Sequence, residues 1–142
     1  MPLQLEIVTP EKLAYSDEVD AVVLPGSEGE LGVLPHHAPL ISTLGAGELR
    51  LRKAGREESF AIVGGFLQVL PDKVVVMAET ADMASEIDLE KAQEARREAE
   101  KALEAGFQEG ADLAAARAAL QQALLRIRVA ERRHHEGRRR RA

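Results

Sequence analysis

Residues 26–41, GSEGELGVLPHHAPLI, gather three glycines, the carboxylates Glu28 and Glu30, two prolines and the adjacent histidines His36 and His37. Glycine backbone can cradle a phosphate, and carboxylates and imidazoles can move protons or hold a metal. Each of these chemistries carries a spacing test. A P-loop needs a glycine, four residues, then Gly-Lys-Ser/Thr, and no such lysine follows Gly26. A dinucleotide-binding turn needs a third glycine where GAGELR, residues 45–50, has Arg50. A metal-holding barrel would place two histidines at alternate positions of a strand, whereas the adjacent His36 and His37 point to opposite faces of an extended chain. The segment reads as a corner between strands, bracketed by Gly and Pro.

Three further groups invite the same test. His134, His135 and Glu136 could be metal ligands, but histidine beside arginine at the end of a helix also suits the negative helix terminus. Gly64 and Gly65, between two apolar runs, read as a bulge or a crossing point. Arg117, Arg126, Arg128, Arg132, Arg133 and Arg138 to Arg141 form a basic arm that must find phosphate, anionic lipid or an acidic protein surface. A solvated, frayed terminus is the plain alternative for Arg138 to Arg141; a nucleic-acid-binding module is the competing function, but no aromatic residue interleaves with these arginines to stack a base, and an acidic protein surface is at least as economical. The chain has no cysteine, which removes disulfides, thiolate metal sites and cysteine nucleophiles together. No serine-nucleophile or paired-carboxylate motif is present, and the chain is read as a non-enzyme.

The elements that must carry these residues follow from periodicity. In LQLEI, Leu3, Leu5 and Ile7 alternate with Gln4 and Glu6, and ELRLRK alternates Leu49 and Leu51 with Glu48, Arg50 and Arg52. DAVVLP, ESFAIV, FLQVL and KVVVMA are more continuously apolar, as strands crossing a core are. Frequent Gly and Pro turns separate them, which predicts an antiparallel sandwich or flattened barrel. After SEID the period changes to about 3.6. Asp88 is a candidate N-cap, and Leu89, Ala92, Ala95, Ala99, Ala102 and Leu103 form one stripe. Gly106 and Gly110 are expected to break that helix, and Asp112 to cap a second one with the stripe Leu113, Ala116, Leu120, Ala123, Leu124, Ile127 and Ala130. The fold class is therefore α+β: an N-terminal antiparallel β-sandwich (1–85), a C-terminal antiparallel α-helical hairpin (86–135) and a basic tail (136–142). Alanine seams bury little area, so the hairpin is expected to close weakly.

Charge is unevenly spread over the 142 residues, whose net charge is −5. Residues 1–85 hold 6 Lys/Arg against 13 Asp/Glu, residues 86–112 hold 4 against 9, and residues 113–142 hold 9 against 2. An acidic body thus ends in a basic arm. No apolar run approaches the ~20 residues of a spanning helix, and the start lacks the pattern of a signal peptide, so a soluble cytosolic protein is expected.

These features together resemble one family, the epsilon subunits of the bacterial F-type ATP synthase. GSEGELGVLPHHAPLI looks like the family's signature corner, with His36 where glycine is common. GGFLQVLPDKVVVMAETA at 64–81 resembles its second signature, and EIDLEKA and LLRIRVAERR resemble the two ends of its hairpin. The resemblance implies a non-catalytic rotor subunit, peripheral to the bacterial cell membrane on its cytoplasmic side and held there only through the complex. It implies Glu28 and Glu30 at a corner facing the c-subunit ring and His37 near the gamma subunit. It implies a hairpin that folds on the sandwich or extends to inhibit ATP hydrolysis, with Arg126, Arg128, Arg132 and Arg133 meeting an acidic loop of beta beside alpha. No cofactor is required, no metal is expected, and no nucleic acid is a partner. ATP is implied as a regulatory ligand of the hairpin at Ile87, Asp88, Lys91, Ala92 and Arg126. Lys91 there replaces an arginine and Gln122 stands where another is expected, and lysine does not reproduce a planar fork on phosphate.

Overall fold

The computed structural model describes the backbone of residues 3–109 and 113–141 and the side chains of residues 3–105 and 113–133. Gly110 and the expected cap Asp112 lie outside the described residues, as do the side chains of His134, His135, Glu136 and Arg138 to Arg141. Eight strands come first: β1 (Leu3–Val8), β2 (Leu13–Val19), β3 (Ala21–Gly26), β4 (Gly29–Val33), β5 (Leu40–Thr43), β6 (Gly47–Lys53), β7 (Arg56–Val69) and β8 (Lys73–Met83). Two helices follow, α1 (Leu89–Glu109) and α2 (Leu113–Arg141). The chain divides into two compact units, Met1–Ala84 and Ser85–Ala142.

In the first unit the strand order is β2-β1-β8-β7-β6-β3-β4, with β5 also paired to β7. Hydrogen bonds do not join β2 to β4, so the sandwich is not a closed barrel. Every pair is antiparallel except β1 and β8, which run parallel from Gln4↔Lys73 to Val8↔Met77. No tight turn joins these two strands, and a long connection leaves direction free.

Strand β7 explains how one sheet makes two layers. Residues 56–62 pair with β6, residues 66–69 pair with β5, and β8 runs alongside both halves. Phe60 and Ile62 face the core in the first half and Leu67 and Val69 in the second, so the buried parity flips between them. The flip occurs at Gly64 and Gly65, whose φ angles are 62° and 111°. The register is the same on either side, Val63↔Thr80 and Gly65↔Ala78, so the glycine pair inserts no residue and is a crossing point, not a bulge. A Cβ on Gly65 would sit 1.9 Å from the Met77 carbonyl oxygen, so a side chain there would collide with β8.

The alternation read from sequence places Leu3, Leu5 and Ile7 at zero exposure, with Val22, Leu24, Leu49, Leu51, Val74 and Val76 in the same core. Each such side chain contributes about 2 kcal/mol on burial. The rings of Tyr15 and Phe60 meet edge to face, 5.6 Å apart between centroids.

In the second unit α1 and α2 pack on each other. Asp88 caps α1: the Lys91 N–H donates to Asp88 Oδ1 at 3.2 Å. Gly106 does not end α1, which continues to Glu109; one interior glycine costs only about 1 kcal/mol. Helix α2 likewise continues through 136–141, the residues expected as a separate tail. The predicted stripes hold at Ala92, Ala99, Ala123 and Ile127, all buried, but Ala95 and Leu124 are exposed. Leu125 and Val129 are buried instead, roughly 200° around α2 from Ala123 and Ile127, so this helix has two apolar faces where one was expected.

Candidate functional site

The corner is built by β3, β4 and β5. Strands β3 and β4 form a hairpin paired from Val22↔Val33 to Gly26↔Gly29, with Glu28 in its turn and Glu30 on β4. The turn is tied to β5: the Ser27 N–H donates to the Thr43 carbonyl at 3.2 Å and the Thr43 hydroxyl donates to Ser27 Oγ at 2.8 Å. Between hairpin and β5 lies an open cleft of about 420 Å³ lined by Gly26 to Leu31, Leu40 and Ser42. The structure thus brings Glu28 and Glu30 to one cleft. His37 lies elsewhere, half-buried on the β4–β5 connection, its Nδ1 2.8 Å from the Ala38 carbonyl oxygen.

His36 occupies the left-handed region, φ 68°, and its N–H donates to the Pro71 carbonyl at 2.7 Å. That bond fastens the corner to the turn between β7 and β8. Histidine tolerates this backbone region better than most residues, and glycine meets it without a steric penalty. Neither imidazole has the surroundings of a metal ligand, and among the described residues no group of three or more His, Cys, Asp or Glu side chains could hold a metal ion.

Periodicity did not reveal how apolar the corner's outer surface is. Leu34 is 63% exposed and Ile41 74% exposed. A second exposed apolar row crosses β2, β1, β8 and β7 through Leu13↔Val8, Val8↔Met77 and Met77↔Phe66. Leu13 and Phe66 are each more than half exposed. Large side chains gathered on a sheet face mark an interaction surface, in contrast to apolar residues scattered singly. The signal was present in the sequence, but only the strand register aligns Leu13, Met77 and Phe66.

Arg50 was also missed as a site residue. Its guanidinium lies 3.2 Å from Glu30 and 4.0 Å from both Glu48 and Glu57. Beyond the corner, Lys53 forms an ion pair with Asp17, joining β6 to β2. The hydrogen bond from Lys53 holds the Asp17 carboxyl below the usual carboxylate value, and the same bond raises the Lys53 ammonium. Burial chiefly, with Asp17 next, raises the Tyr15 phenol.

In the second unit, Ile87 is half-buried ahead of α1, Asp88 is spent on the cap, Lys91 is exposed and Ala92 is buried. On α2, Arg126 and Arg132 are half-buried while Arg128 and Arg133 are exposed. The arginines do not lie on a single face: Arg126 and Arg133 share one side of the helix and Arg128 and Arg132 another.

Comparison with known proteins places this geometry. A family model described as the beta-sandwich domain of the ATP synthase delta/epsilon chain matches residues 2–84, and one for its long alpha-helix domain matches residues 85–131. The chain belongs to the ATP synthase delta/epsilon chain family. The ATP synthase epsilon chain of Dehalococcoides mccartyi is 47% identical over 131 residues, covering 92% of this chain and 94% of that one. That of Syntrophobacter fumaroxidans is 50% identical over 129 residues, covering 91% and 96%. A chain in the Euglena gracilis mitochondrial ATP synthase, in a structure of its OSCP/F1/c-ring, superposes with a TM-score of 0.63 at 26% identity, over 92% of this chain and 78% of that one. A chain of the Tetrahymena thermophila mitochondrial ATP synthase central stalk and c-ring shares the fold, with a TM-score of 0.52 at 14% identity over 93% and 96%. As a member of the family, the protein is a non-catalytic central-stalk subunit of a rotary ATP synthase peripheral to the membrane, where it couples proton flow to ATP synthesis and inhibits ATP hydrolysis. Among the described residues no helix is long and apolar enough to cross a membrane.

Proposed function

We propose that the two units divide the family's work: the sandwich holds the rotor, and the hairpin regulates. The corner presents Glu28 and Glu30 to the c-subunit ring and His37 to the gamma subunit, on the cytoplasmic side of the bacterial cell membrane, with membrane association only through the complex. The observation that carries this reading is the cleft lined by the two exposed carboxylates together with Leu31 and Leu40, on a corner that also exposes Leu34 and Ile41, a combination of apolar and charged groups suited to assembly. Glu30→Gln is expected to weaken binding of the chain to an ATP synthase stripped of this subunit, and unchanged binding would remove the ring assignment.

For the hairpin, the proposal is a movable arm that reaches alpha and beta, where Arg126, Arg128, Arg132 and Arg133 meet acidic groups of beta. Their placement on two sides of α2 suits a helix surrounded by partners better than one lying on a flat surface. Replacing all four with Ala is expected to raise ATP hydrolysis by the reconstituted complex to the level seen without this subunit. Hydrolysis that stays inhibited would defeat the assignment.

ATP is proposed as a regulatory ligand of the hairpin, held through Ile87, Asp88, Lys91, Ala92 and Arg126. The Asp88 carboxylate already accepts from the Lys91 N–H, so the helix N-terminus is partly occupied by an internal anion. Moving a 1:99 population to 99:1 takes about 5.5 kcal/mol of discrimination between shapes, so a weakly held nucleotide produces a partial switch. Lys91→Arg is expected to tighten ATP by about fivefold, or roughly 1 kcal/mol, in a calorimetric titration of the free chain. No heat of binding from either form would exclude the site.

A further inference from the structure

Arg50 lies on β6 and Glu30 on β4, with β3 between them. Register fixes their relation: Val23 of β3 is paired with Arg50 on one side and with Gly32 on the other, and Glu30 is two residues nearer the hairpin turn than Gly32. Both side chains stand on the outward face, since Leu49 and Leu51 beside Arg50 point into the core. Two strand spacings across and two residues along separate their backbones by roughly 11–12 Å, a span that two long side chains can close only by reaching toward each other over β3. They do so at 3.2 Å. Nothing obstructs the bridge from β4, because Gly32 has no side chain there.

Two further carboxylates approach the arginine. Glu48, two residues earlier on β6, and Glu57 on β7 each place a carboxylate oxygen 4.0 Å from Arg50 Nε, while Nη2 meets Glu30. Arg50 is only about a third exposed, whereas Glu30 is two-thirds exposed. The better-anchored partner therefore sets the position of the freer one. Two nitrogens of one planar fork thus serve Arg50: Nη2 donates to Glu30 while Nε lies within ion-pair range of Glu48 and Glu57, an arrangement that the single nitrogen of a lysine does not reproduce.

We propose that Arg50 is the positioning residue of the corner: it draws the Glu30 carboxylate back over β3 and so fixes where the hairpin presents its charge to the rotor. The inference rests on the assembly role of Glu30 given above and adds a residue to it. Arg50 itself touches no partner. Its effect on assembly passes through Glu30 and vanishes when that carboxylate is gone.

A double-mutant cycle on the whole chain tests this. Binding of the wild type, Arg50→Gln, Glu30→Gln and the double variant would be measured against an ATP synthase stripped of this subunit, with thermal unfolding of each free chain alongside. Arg50→Gln and Glu30→Gln are each expected to weaken binding about threefold and the double variant no more than either alone, with free-chain unfolding unchanged. Arg50→Lys is expected to fall between wild type and Arg50→Gln, because it keeps the charge and loses the fork. If Glu30→Gln weakens binding and Arg50→Gln does not, or if the two losses multiply, the positioning role is wrong while the assembly role of Glu30 stands. If Glu30→Gln binds like wild type, both are wrong. Should Arg50→Gln lower the unfolding temperature, Arg50→Lys decides: binding restored together with stability marks a merely structural role and overturns the proposal.

Discussion

His36 shows how a residue can look chemical in sequence and be mechanical in structure. Its φ of 68° is what the corner demands, and its backbone N–H is the part in use, donating to Pro71. His36→Gly keeps that bond and relieves the backbone, against the greater freedom glycine gives the unfolded chain. A stabilisation of up to about 1 kcal/mol is expected by urea denaturation. Gly65 is the opposite case, because a Cβ there would overlap the Met77 carbonyl. Gly65→Ala is expected to cost about 3 kcal/mol or more in the same assay. The Asp17 and Lys53 pair makes a signed pH prediction. A lowered Asp17 contributes stability above its ordinary value of 3.8 and loses it as pH falls through the lowered one; a raised Lys53 contributes below its ordinary value of 10.5 and loses it as pH rises through the raised one. Both side chains are solvent-screened, so Lys53→Met should lower stability only slightly, with the difference from the wild type present between pH 3.8 and 10.5 and vanishing toward both extremes. Arg50 was invisible at this scale in sequence: spacing records that it faces outward, and only the pairing of β3 with both β4 and β6 brings it to Glu30.

Elements were read well where one face meets a core. Leu3, Leu5 and Ile7, or Leu49 and Leu51, declare their strands because period two has no competing explanation there. Gly64 and Gly65 divide ESFAIV from FLQVL in the sequence, yet one 14-residue strand runs through both. Glycine signals freedom, and freedom allows a chain to turn or to change face while going straight on. Gly106 misled in the same way, because it lies inside a helix whose other residues propagate through it. The short strands β4 and β5 were absorbed into the corner, since five and four residues among glycines and prolines carry too little pattern. The seam between α1 and α2 keeps its alanine character: among the described side chains of α1, Ala92 and Ala99 are the buried ones, and each removes little apolar area from water. Amides of α1 and α2 are therefore expected to exchange with solvent at least about tenfold faster than those at the centres of β1, β7 and β8. Equal protection would show that the hairpin opens only when the sandwich unfolds.

At the scale of the whole molecule, the change of period after SEID and the change of charge along the chain follow different boundaries. The period changes near residue 86, while residues 86–112 remain as acidic in character as the sandwich, and only residues 113–142 are basic, with 9 Lys/Arg against 2 Asp/Glu. Helix α1 is thus closer in charge to the sandwich, and the excess of cations lies on α2. The two units are compact separately, Met1–Ala84 and Ser85–Ala142, and the eight-strand core lies wholly within the first. A chain ending at Glu86 keeps that core intact and is expected to unfold cooperatively, to bind the stripped complex and to support proton-driven ATP synthesis. It should lack inhibition, so that ATP hydrolysis by the reconstituted complex rises as it does with the four-arginine variant. Inhibition that survives the deletion would move regulation into the sandwich. Lost binding by a truncated chain that still unfolds cooperatively would show that the hairpin helps to hold the rotor, and that the division of work between the units is wrong.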